Sequence, residues 1–132
     1  MQLLEAIPAL PVRDVGASIP YYQDKLGFSL VHTEGGFAIL KRDAVELHLL
    51  TANDEKWQTR PETSPVASGA ESFLAGTASC RVGVSGIDEL YSELAPRRVL
   101  HGNGALQEQP WGDRYFTVVD LDNNLITFFE RG

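Results

Sequence analysis

The sequence of 132 residues contains one cysteine, Cys80, and therefore cannot form a disulfide within the chain. We expect the protein to lie in a reducing compartment, the cytoplasm, where thiols stay reduced. The chain has no apolar run long enough to cross a bilayer, and residues 1–20 lack the basic start and apolar stretch of a signal peptide. We therefore expect neither a membrane partner nor a secretory leader.

Basic residues are scarce, because 11 Lys and Arg stand against 18 Asp and Glu, for a formal net charge of −7. Such a surface repels phosphate backbones, so we expect no nucleic-acid partner, whereas cationic small molecules are attracted. The remaining composition, 43% hydrophobic and 22% charged, is that of an ordinary folded domain with enough residues to bury a core.

The N-terminal segment, residues 3–12, favours an extended chain. Pro8 and Pro11 cannot donate ladder hydrogen bonds, so this strand belongs at the edge of a sheet or at a point of strand exchange. Further on, apolar segments separated by turn-forming residues predict three strands, over residues 28–33, 37–42 and 45–50.

A helix is predicted between the N-terminal strand and the strand over residues 28–33, and either Asp14 or Ser18 is suited to cap it. Pro20 is awkward inside a helix that begins near Asp14, but it is acceptable in the first turn of a helix capped by Ser18. We therefore predict a helix over residues 18–26, ended by Gly27 in a left-handed conformation.

The strand over residues 45–50 carries two polar side chains on one face, while its other face is wholly apolar. A carboxylate and an imidazole, from Glu46 and His48, are thus predicted to lie side by side. His48 is either a structural residue paired with Glu46 or a residue that contacts a ligand, and the sequence leaves both interpretations open.

Residues 51–78 form a polar linker rich in proline and glycine, with a helical turn predicted over residues 70–74. A strand over residues 79–84 follows, and then a helix whose apolar residues recur at helical spacing from Ile87. We expect Ser85 to cap this helix.

The closing segment, residues 109–130, is the most informative stretch. Residues 115–119 and 125–129 are β-branched and aromatic, and the turn-forming residues between them predict a hairpin, preceded by a short strand near Val99. Before the hairpin, Trp111 lies on a Pro-Trp-Gly bend. Its indole is either a plug on the core or a flat face offered to a ligand, and both interpretations stay open.

Each half of the chain is thus predicted to contain a strand, a helix and three further strands. This internal repeat indicates an α+β fold of two βαβββ modules that form a curved mixed sheet. We assign residues 1–132 to a single domain, with module 1 over residues 3–50, the linker over 51–78 and module 2 over 79–131.

The doublet is similar to the vicinal oxygen chelate superfamily, which includes glyoxalases, extradiol dioxygenases and antibiotic-resistance proteins. Its segments most resemble the bleomycin-resistance proteins. YYQDKLGF occurs across the superfamily, whereas EQPWG followed by an aromatic strand is much narrower. The matching segments are IPALPVRDV (7–15), YYQDKLGF (21–28), GGFAILKRD (35–43), VELHLL (45–50), GIDELYSEL (86–94) and EQPWGDRYFTVVDLDNNLITFF (108–129).

Metal-using relatives take one ligand from the first strand and one from the last strand of each module. The matching positions in this chain are Ile7, Glu46, Ser79 and Thr127, of which only Glu46 is a good ligand, and His48 lies two residues further along the same face. A divalent metal site needs about three nitrogen or oxygen donors. We therefore expect no bound metal and no other cofactor.

Arg81 is a cation in a strand of small and apolar residues. If it faces inward it needs a partner, for which Glu46 and Glu130 are the candidates. The alternative is that Arg81 contacts a ligand.

The resemblance implies a homodimer, with the N-terminal strand as a candidate for exchange between subunits. It also implies that a cationic, flat-ringed molecule of the bleomycin type is sequestered, without chemistry, in a groove between subunits. Trp111 and Phe37 would supply stacking faces, and Gln109, Asp113 and His48 would supply hydrogen bonds. The expected ligand-binding residues are Trp111, Phe37, His48, Glu46, Gln109, Asp113, Tyr115 and Arg81.

Two other functions remain open at this point. The first is a metal-dependent glyoxalase-like lyase or extradiol dioxygenase that uses Glu46 and His48. The second is a non-catalytic structural or regulatory dimer in which Trp111 forms part of the interface core. Of the three functions, we favour a drug-binding protein over a catalyst.

Overall fold

The computed structural model describes residues 1–53, 68–72 and 78–132. These residues form two βαβββ modules, each with a four-stranded mixed sheet and one helix, so the predicted α+β class and doubled module are confirmed. Most of the predicted linker lies outside the described residues, as does the end of the helical turn predicted over 70–74; a 3₁₀ turn at Gly69–Glu71 occupies its start. No helix in the described ranges is long and apolar enough to span a membrane.

The first module builds sheet A from four strands, β1 (Ala9–Val12), β2 (Ser29–Glu34), β3 (Phe37–Arg42) and β4 (Val45–Thr51). Their spatial order is β1-β4-β3-β2, with β1 parallel to β4 and the other pairs antiparallel. The proline-containing β1 lies at the sheet edge, as predicted, and pairs with β4 of its own chain. Exchange of this strand between subunits stays a prediction.

The second module builds sheet B from four strands, β5 (Ser79–Gly83), β6 (Gln107–Glu108), β7 (Arg114–Val119) and β8 (Leu125–Glu130). Their order is β5-β8-β7-β6, and the β7–β8 hairpin has the predicted bounds within one residue. The strand predicted near Val99 was wrong: Leu100 forms only an isolated bridge, and β6 is the fourth strand. Gln107 and Glu108 are polar and have little strand propensity of their own. They form a strand because they pair with β7.

Helix α1 (Val15–Asp24) begins earlier than predicted. Asp14 is its cap, since the Asp14 carboxylate accepts a first-turn backbone N–H at 3.3 Å, and Pro20 lies inside the helix. Ser18, the predicted cap, is instead buried, with 2% of its surface exposed. The prediction gave most weight to the cost of Pro20 inside a helix. Burial of the helix face that carries Ser18 and Tyr22 is the larger effect, because helices in proteins are stabilised mainly by tertiary packing.

Helix α2 (Ile87–Leu94) is capped from a distant strand and not by Ser85, as was predicted. The carboxylate of Glu130, at the end of β8, accepts the backbone N–H of Gly86 at 3.0 Å and that of Ile87 at 3.2 Å. These two hydrogen bonds lower the pKa of Glu130. The serine is a local signal, whereas the capping carboxylate comes from a residue that only the fold brings close.

One apolar core is shared by the two modules and buries one face of each sheet. Leu47 and Leu49 of β4 are fully buried, as is Ile126 of β8. The helices cover these faces with Tyr22, Ile87 and Leu94, and Leu26 follows α1; all four are also fully buried. Since side chains alternate along a strand, each sheet also has a second face that points away from the core, which we call its open face.

Asp120, in the turn between β7 and β8, joins the two modules. Its carboxylate accepts the hydroxyl of Tyr22 at 2.8 Å and three N–H donors of its own turn, from Asp122 at 2.9 Å and from Asn124 at 2.8 and 2.9 Å. The Asn124 amide also donates to the carbonyl of Pro11 in β1 at 2.7 Å. Asp120 is only 6% exposed, so it depends on these donors. Burial and the nearby Asp120 raise the pKa of Tyr22, which keeps its hydroxyl protonated.

Tyr22→Phe should lower the free energy of unfolding by about 2 kcal/mol, because it removes a hydrogen bond to a buried carboxylate. Urea unfolding measures this loss. The matched control is Tyr91→Phe, since the Tyr91 ring packs on Phe116 and its hydroxyl has no hydrogen-bond partner among the described residues. The control should stay within about 0.5 kcal/mol of wild type. Equal losses in both variants would show that Tyr22 does not join the modules through Asp120.

Candidate functional site

The open face of sheet A carries Phe37, Glu46 and His48, which together we call half-site A. Nε2 of His48 lies 2.7 Å from a carboxylate oxygen of Glu46, and the two side chains are 24% and 22% exposed. The Phe37 and His48 rings meet in a T-shape with centroids 5.1 Å apart. The predicted pairing of the imidazole with Glu46 is therefore present, and it leaves an apolar ring beside an acidic, hydrogen-bonded pair.

The bend that carries Trp111 is the tip of the hairpin joining β6 to β7, and we call residues 109–113 the hairpin tip. The N–H of Gln109 donates to the carbonyl of Asp113 at 2.7 Å, and the N–H of Gly112 donates to the carbonyl of Gln109 at 2.9 Å. Gly112 has a φ of 101°, a conformation that favours glycine, and it closes the three-residue loop between Gln109 and Asp113. The Trp111 side chain is left 67% exposed, so it is not a plug on the core of the single chain.

The open face of sheet B carries a second group of side chains, which we call half-site B: Arg81, Tyr115, Thr117, Thr127 and Phe129. The guanidinium carbon of Arg81 lies 4.4 Å from the centroid of the Phe129 ring, in a cation–π contact. Thr117 and Thr127 pair across β7 and β8, and their hydroxyl oxygens lie 2.9 Å apart. Tyr115 pairs with Phe129 in the neighbouring position of the same two strands.

Arg81 does not face the core, and it pairs with neither Glu46 nor Glu130, the candidate partners of an inward-facing Arg81. Glu130 caps α2, and Glu46 is bonded to His48 in the other sheet. The physical reason is strand alternation, because Glu130 shares the core-side face of β8 with Phe128, whereas Arg81 lies across from Thr127 on the open face.

The structure thus gathers the predicted residues into two groups and not into one site. Phe37, Glu46 and His48 lie in sheet A, whereas Arg81, Tyr115 and the hairpin tip lie in sheet B. Among the described residues, no hydrogen bond, ion pair or ring contact links half-site A to half-site B or to the hairpin tip. One chain therefore presents the predicted residues on two separate surfaces and not in one site.

A cavity of about 470 Å³ lies elsewhere, between the modules. Its walls include Val82 and Phe128 from the core side of sheet B, together with the ion pair of Arg42 and Glu93, whose charged atoms are 2.7 Å apart. None of the eight predicted site residues lines it. The cavity is thus on the side of sheet B that packs against α2, opposite to half-site B.

Cys80 does not provide a nucleophile. It lies on the core-side face of β5, where it packs against the core, and burial raises the pKa of its thiol to about 11. The thiol therefore stays protonated at neutral pH, and the thiolate is the reactive form.

The donor set does not fit a catalytic metal ion. Ile7 is apolar, and the hydroxyl of Thr127 is already bonded to that of Thr117. Glu46 and His48 supply two donors, fewer than the three or so that hold a divalent ion. Within the described ranges, no three His, Cys, Asp or Glu side chains are grouped as a metal site would require.

Sequence reasoning did not single out Phe129 or Thr117 as members of a site, and it named Thr127 only as a position that matches a metal ligand of relatives. Alternation along β8 contains the necessary signal, since Thr127 and Phe129 alternate with the buried Ile126 and Phe128. The pairing of β5 with β8, which places Arg81 beside them, depends on a connection of about 40 residues that a local pattern does not reveal.

A model of the "Glyoxalase/Bleomycin resistance protein/Dioxygenase superfamily" matches residues 6–128 of the chain. The curated bleomycin resistance proteins of Geobacillus stearothermophilus and Staphylococcus aureus are each 56% identical to it over 129 residues, which is 98% of this chain and 98% of the relative.

Solved structures share the fold at lower identity. A bleomycin resistance determinant encoded on transposon Tn5 has a TM-score of 0.70 and 24% identity, with 98% of both chains covered. The bleomycin-binding protein of bleomycin-producing Streptomyces verticillus, in complex with copper(II)-bleomycin, has a TM-score of 0.72 and 24% identity, covering 100% of this chain and 98% of the other. Lactoylglutathione lyase from Agrobacterium tumefaciens has a TM-score of 0.74 and 16% identity, covering 98% and 95%.

The purified protein should contain well under one equivalent of zinc, nickel, iron or manganese per chain, because the available donors are too few. Elemental analysis after dialysis measures the content. A stoichiometric metal that survives dialysis and is lost in Glu46→Ala would contradict this prediction and restore the metalloenzyme hypothesis.

Proposed function

The chain belongs to the glyoxalase/bleomycin resistance protein/dioxygenase superfamily, and from that premise we propose that it binds and sequesters a bleomycin-type antibiotic without changing it chemically. The observation that carries this proposal is the match along 98% of the chain, at 56% identity, to curated bleomycin resistance proteins. The proposal includes a single domain over residues 1–132 that works in the cytoplasm, as the lone cysteine favours.

The two half-sites supply the interactions that a flat, cationic ligand needs. Trp111 offers an exposed indole face and Phe37 a second ring, and stacking on such faces is favourable for planar heterocycles. Glu46 and the overall charge of −7 attract a cation. Gln109, Asp113 and His48 offer polar groups that fix orientation, and Tyr115 extends the lining.

The proposed groove lies between two copies of the chain, with half-site A of one protomer opposite the hairpin tip of its partner. Two observations support this arrangement. Each half-site by itself is an open sheet face, whereas binding sites for drug-sized molecules are concave. In addition, Leu3, Leu4 and Trp111 are 95%, 85% and 67% exposed, so these apolar side chains are available to a partner protomer.

The donor set favours sequestration over catalysis. A glyoxalase-like or dioxygenase reaction needs a metal, and Ile7, Ser79 and Thr127 are not competent ligands in three of the four family positions. Glu46 and His48 are bonded to each other, which suits a polar anchor for a ligand. The likeness to lactoylglutathione lyase supports the fold and not the activity.

Trp111→Ala should weaken the binding of metal-free bleomycin by about ten- to a hundredfold, because a large stacked ring contributes roughly 1–3 kcal/mol. Calorimetric titration measures the affinity. The melting temperature should change little, since the exposed ring contributes little to the core.

The matched control for Trp111→Ala is Leu121→Ala, which removes a 55% exposed apolar side chain from the turn between β7 and β8. Its affinity for bleomycin should equal that of the wild type. If Trp111→Ala instead lowers the melting temperature strongly and leaves the affinity unchanged, the indole is a structural plug and the site assignment is wrong.

The protein should be a dimer in solution at micromolar concentration, as measured by sedimentation equilibrium, because the groove needs surfaces from two protomers. A monomer that binds one bleomycin per chain would contradict the shared groove while leaving the fold intact.

A further inference from the structure

We infer that Arg81 forms a subsite for an acceptor oxygen of the ligand, a carbonyl or a carboxylate, at the centre of half-site B. The inference rests on the proposed function only in treating the open face of sheet B as a surface that faces the ligand. It changes the expected ligand from a simple cation to a molecule that carries both a cationic, flat-ringed part and an acceptor-oxygen part.

The subsite is a row of three side chains that crosses sheet B. Arg81 of β5 lies across from Thr127 of β8, which in turn lies across from Thr117 of β7. Residues paired across neighbouring strands point to the same side of the sheet with their Cβ atoms about 5 Å apart. The three side chains can therefore reach one small group of a ligand placed above the sheet.

The row contains free hydrogen-bond donors. The hydroxyls of Thr117 and Thr127 lie 2.9 Å apart, so one donates to the other and the second proton of the pair stays available. The guanidinium of Arg81 makes no hydrogen bond or ion pair with any described residue. The guanidinium can only donate, and the threonine pair keeps one free donor, so the row can bind oxygen atoms that accept hydrogen bonds.

The stacking of Arg81 on Phe129 keeps its donors free. With the guanidinium carbon 4.4 Å from the ring centroid, the ring contacts the cation while the N–H groups at its edge remain unbonded. Two other arginines differ in this respect. Arg42 donates two hydrogen bonds to Glu93, and Arg114 donates two to Asp88. Arg81 is thus a cation that packs on an aromatic ring and has no carboxylate partner in the described part of the protein.

The two half-sites have opposite polarity. Half-site A presents the carboxylate of Glu46, and half-site B presents the guanidinium of Arg81. A ligand that touches both surfaces gains most when its cationic part meets half-site A and its acceptor oxygens meet half-site B. The overall charge of −7 opposes a purely anionic ligand, so the combination of both parts is favoured.

The test compares three small probes, 2-naphthoate, 2-naphthamide and 2-naphthylmethylammonium, in ligand-observed NMR titrations of wild type and Arg81→Gln. The variant should weaken naphthoate binding by about three- to tenfold, the scale for a charge-assisted hydrogen bond at a partly exposed site. It should leave the ammonium probe unchanged or tighter. The naphthamide titration tells whether a neutral carbonyl uses the same donors as a carboxylate, in which case the variant weakens both.

The matched control is Arg131→Gln, because Arg131 carries the same charge and its guanidinium carbon also lies over the Phe129 ring, 5.3 Å from the centroid. This control should bind naphthoate like the wild type. Equal weakening in Arg131→Gln, or no weakening of either oxygen probe in Arg81→Gln, would overturn the subsite, since the effect would then be one of net charge or absent. Arg81→Lys should retain part of the affinity for naphthoate, because it keeps the charge and loses the planar fork.

Bleomycin is titrated separately on the wild type, so the two proposals fail independently. Absence of bleomycin binding with the naphthoate response intact overturns the proposed function and leaves the subsite standing. Bleomycin binding that is unaltered in Arg81→Gln, together with an absent naphthoate response, overturns the subsite alone. Thermal melting of each variant confirms folding, and Arg81 is exposed, so its substitution should leave the melting temperature near that of the wild type.

Discussion

The buried carboxylate of Asp120 is the constraint on which the arrangement of the two modules depends. A carboxylate in this environment is costly unless all its acceptor positions are used, and the donors come from both modules. Tyr22 brings α1 to the turn, and Asn124 extends the same network to the backbone of β1. The network therefore fixes the first strand and the first helix against the last hairpin, at contacts that span 98 and 113 residues of sequence.

This constraint decides which faces of the sheets remain open. The core is filled by α1, α2 and one side of each sheet, so that Leu49 and Ile126 are fully buried. The opposite sides then hold polar and aromatic residues that neither α1 nor α2 covers. The same alternation that builds the core thus places Phe37 and Arg81 on open surfaces, and neither position needs a further explanation from loop geometry.

The strands and the hairpin follow from the sequence because their signals are local. Alternation fixes β3, β4, β7 and β8, and turn-forming residues fix the connections between them. The remaining features depend on distant partners: Glu130 replaces Ser85 as the cap of α2, and Asp14 begins α1 despite Pro20 because tertiary packing outweighs the proline. The pairing of Glu46 and His48 in half-site A was predictable because alternation along β4 places both side chains on one face. The free guanidinium of Arg81 was not, because the pairing of β5 with β8 is a long-range property.

The side chains on the two surfaces favour binding over catalysis as the function of this chain. Catalysis by proton transfer or nucleophilic attack needs a titratable group that is tuned and free to react. Here the thiol of Cys80 lies on the core side with its pKa raised to about 11, and the titratable side chains of half-site A are Glu46 and His48, which are hydrogen-bonded to each other. What the open faces offer is aromatic area from Trp111 and Phe129 and opposed charges from Glu46 and Arg81. Those are the elements of affinity and orientation, and they suit the recognition and sequestration of a ligand.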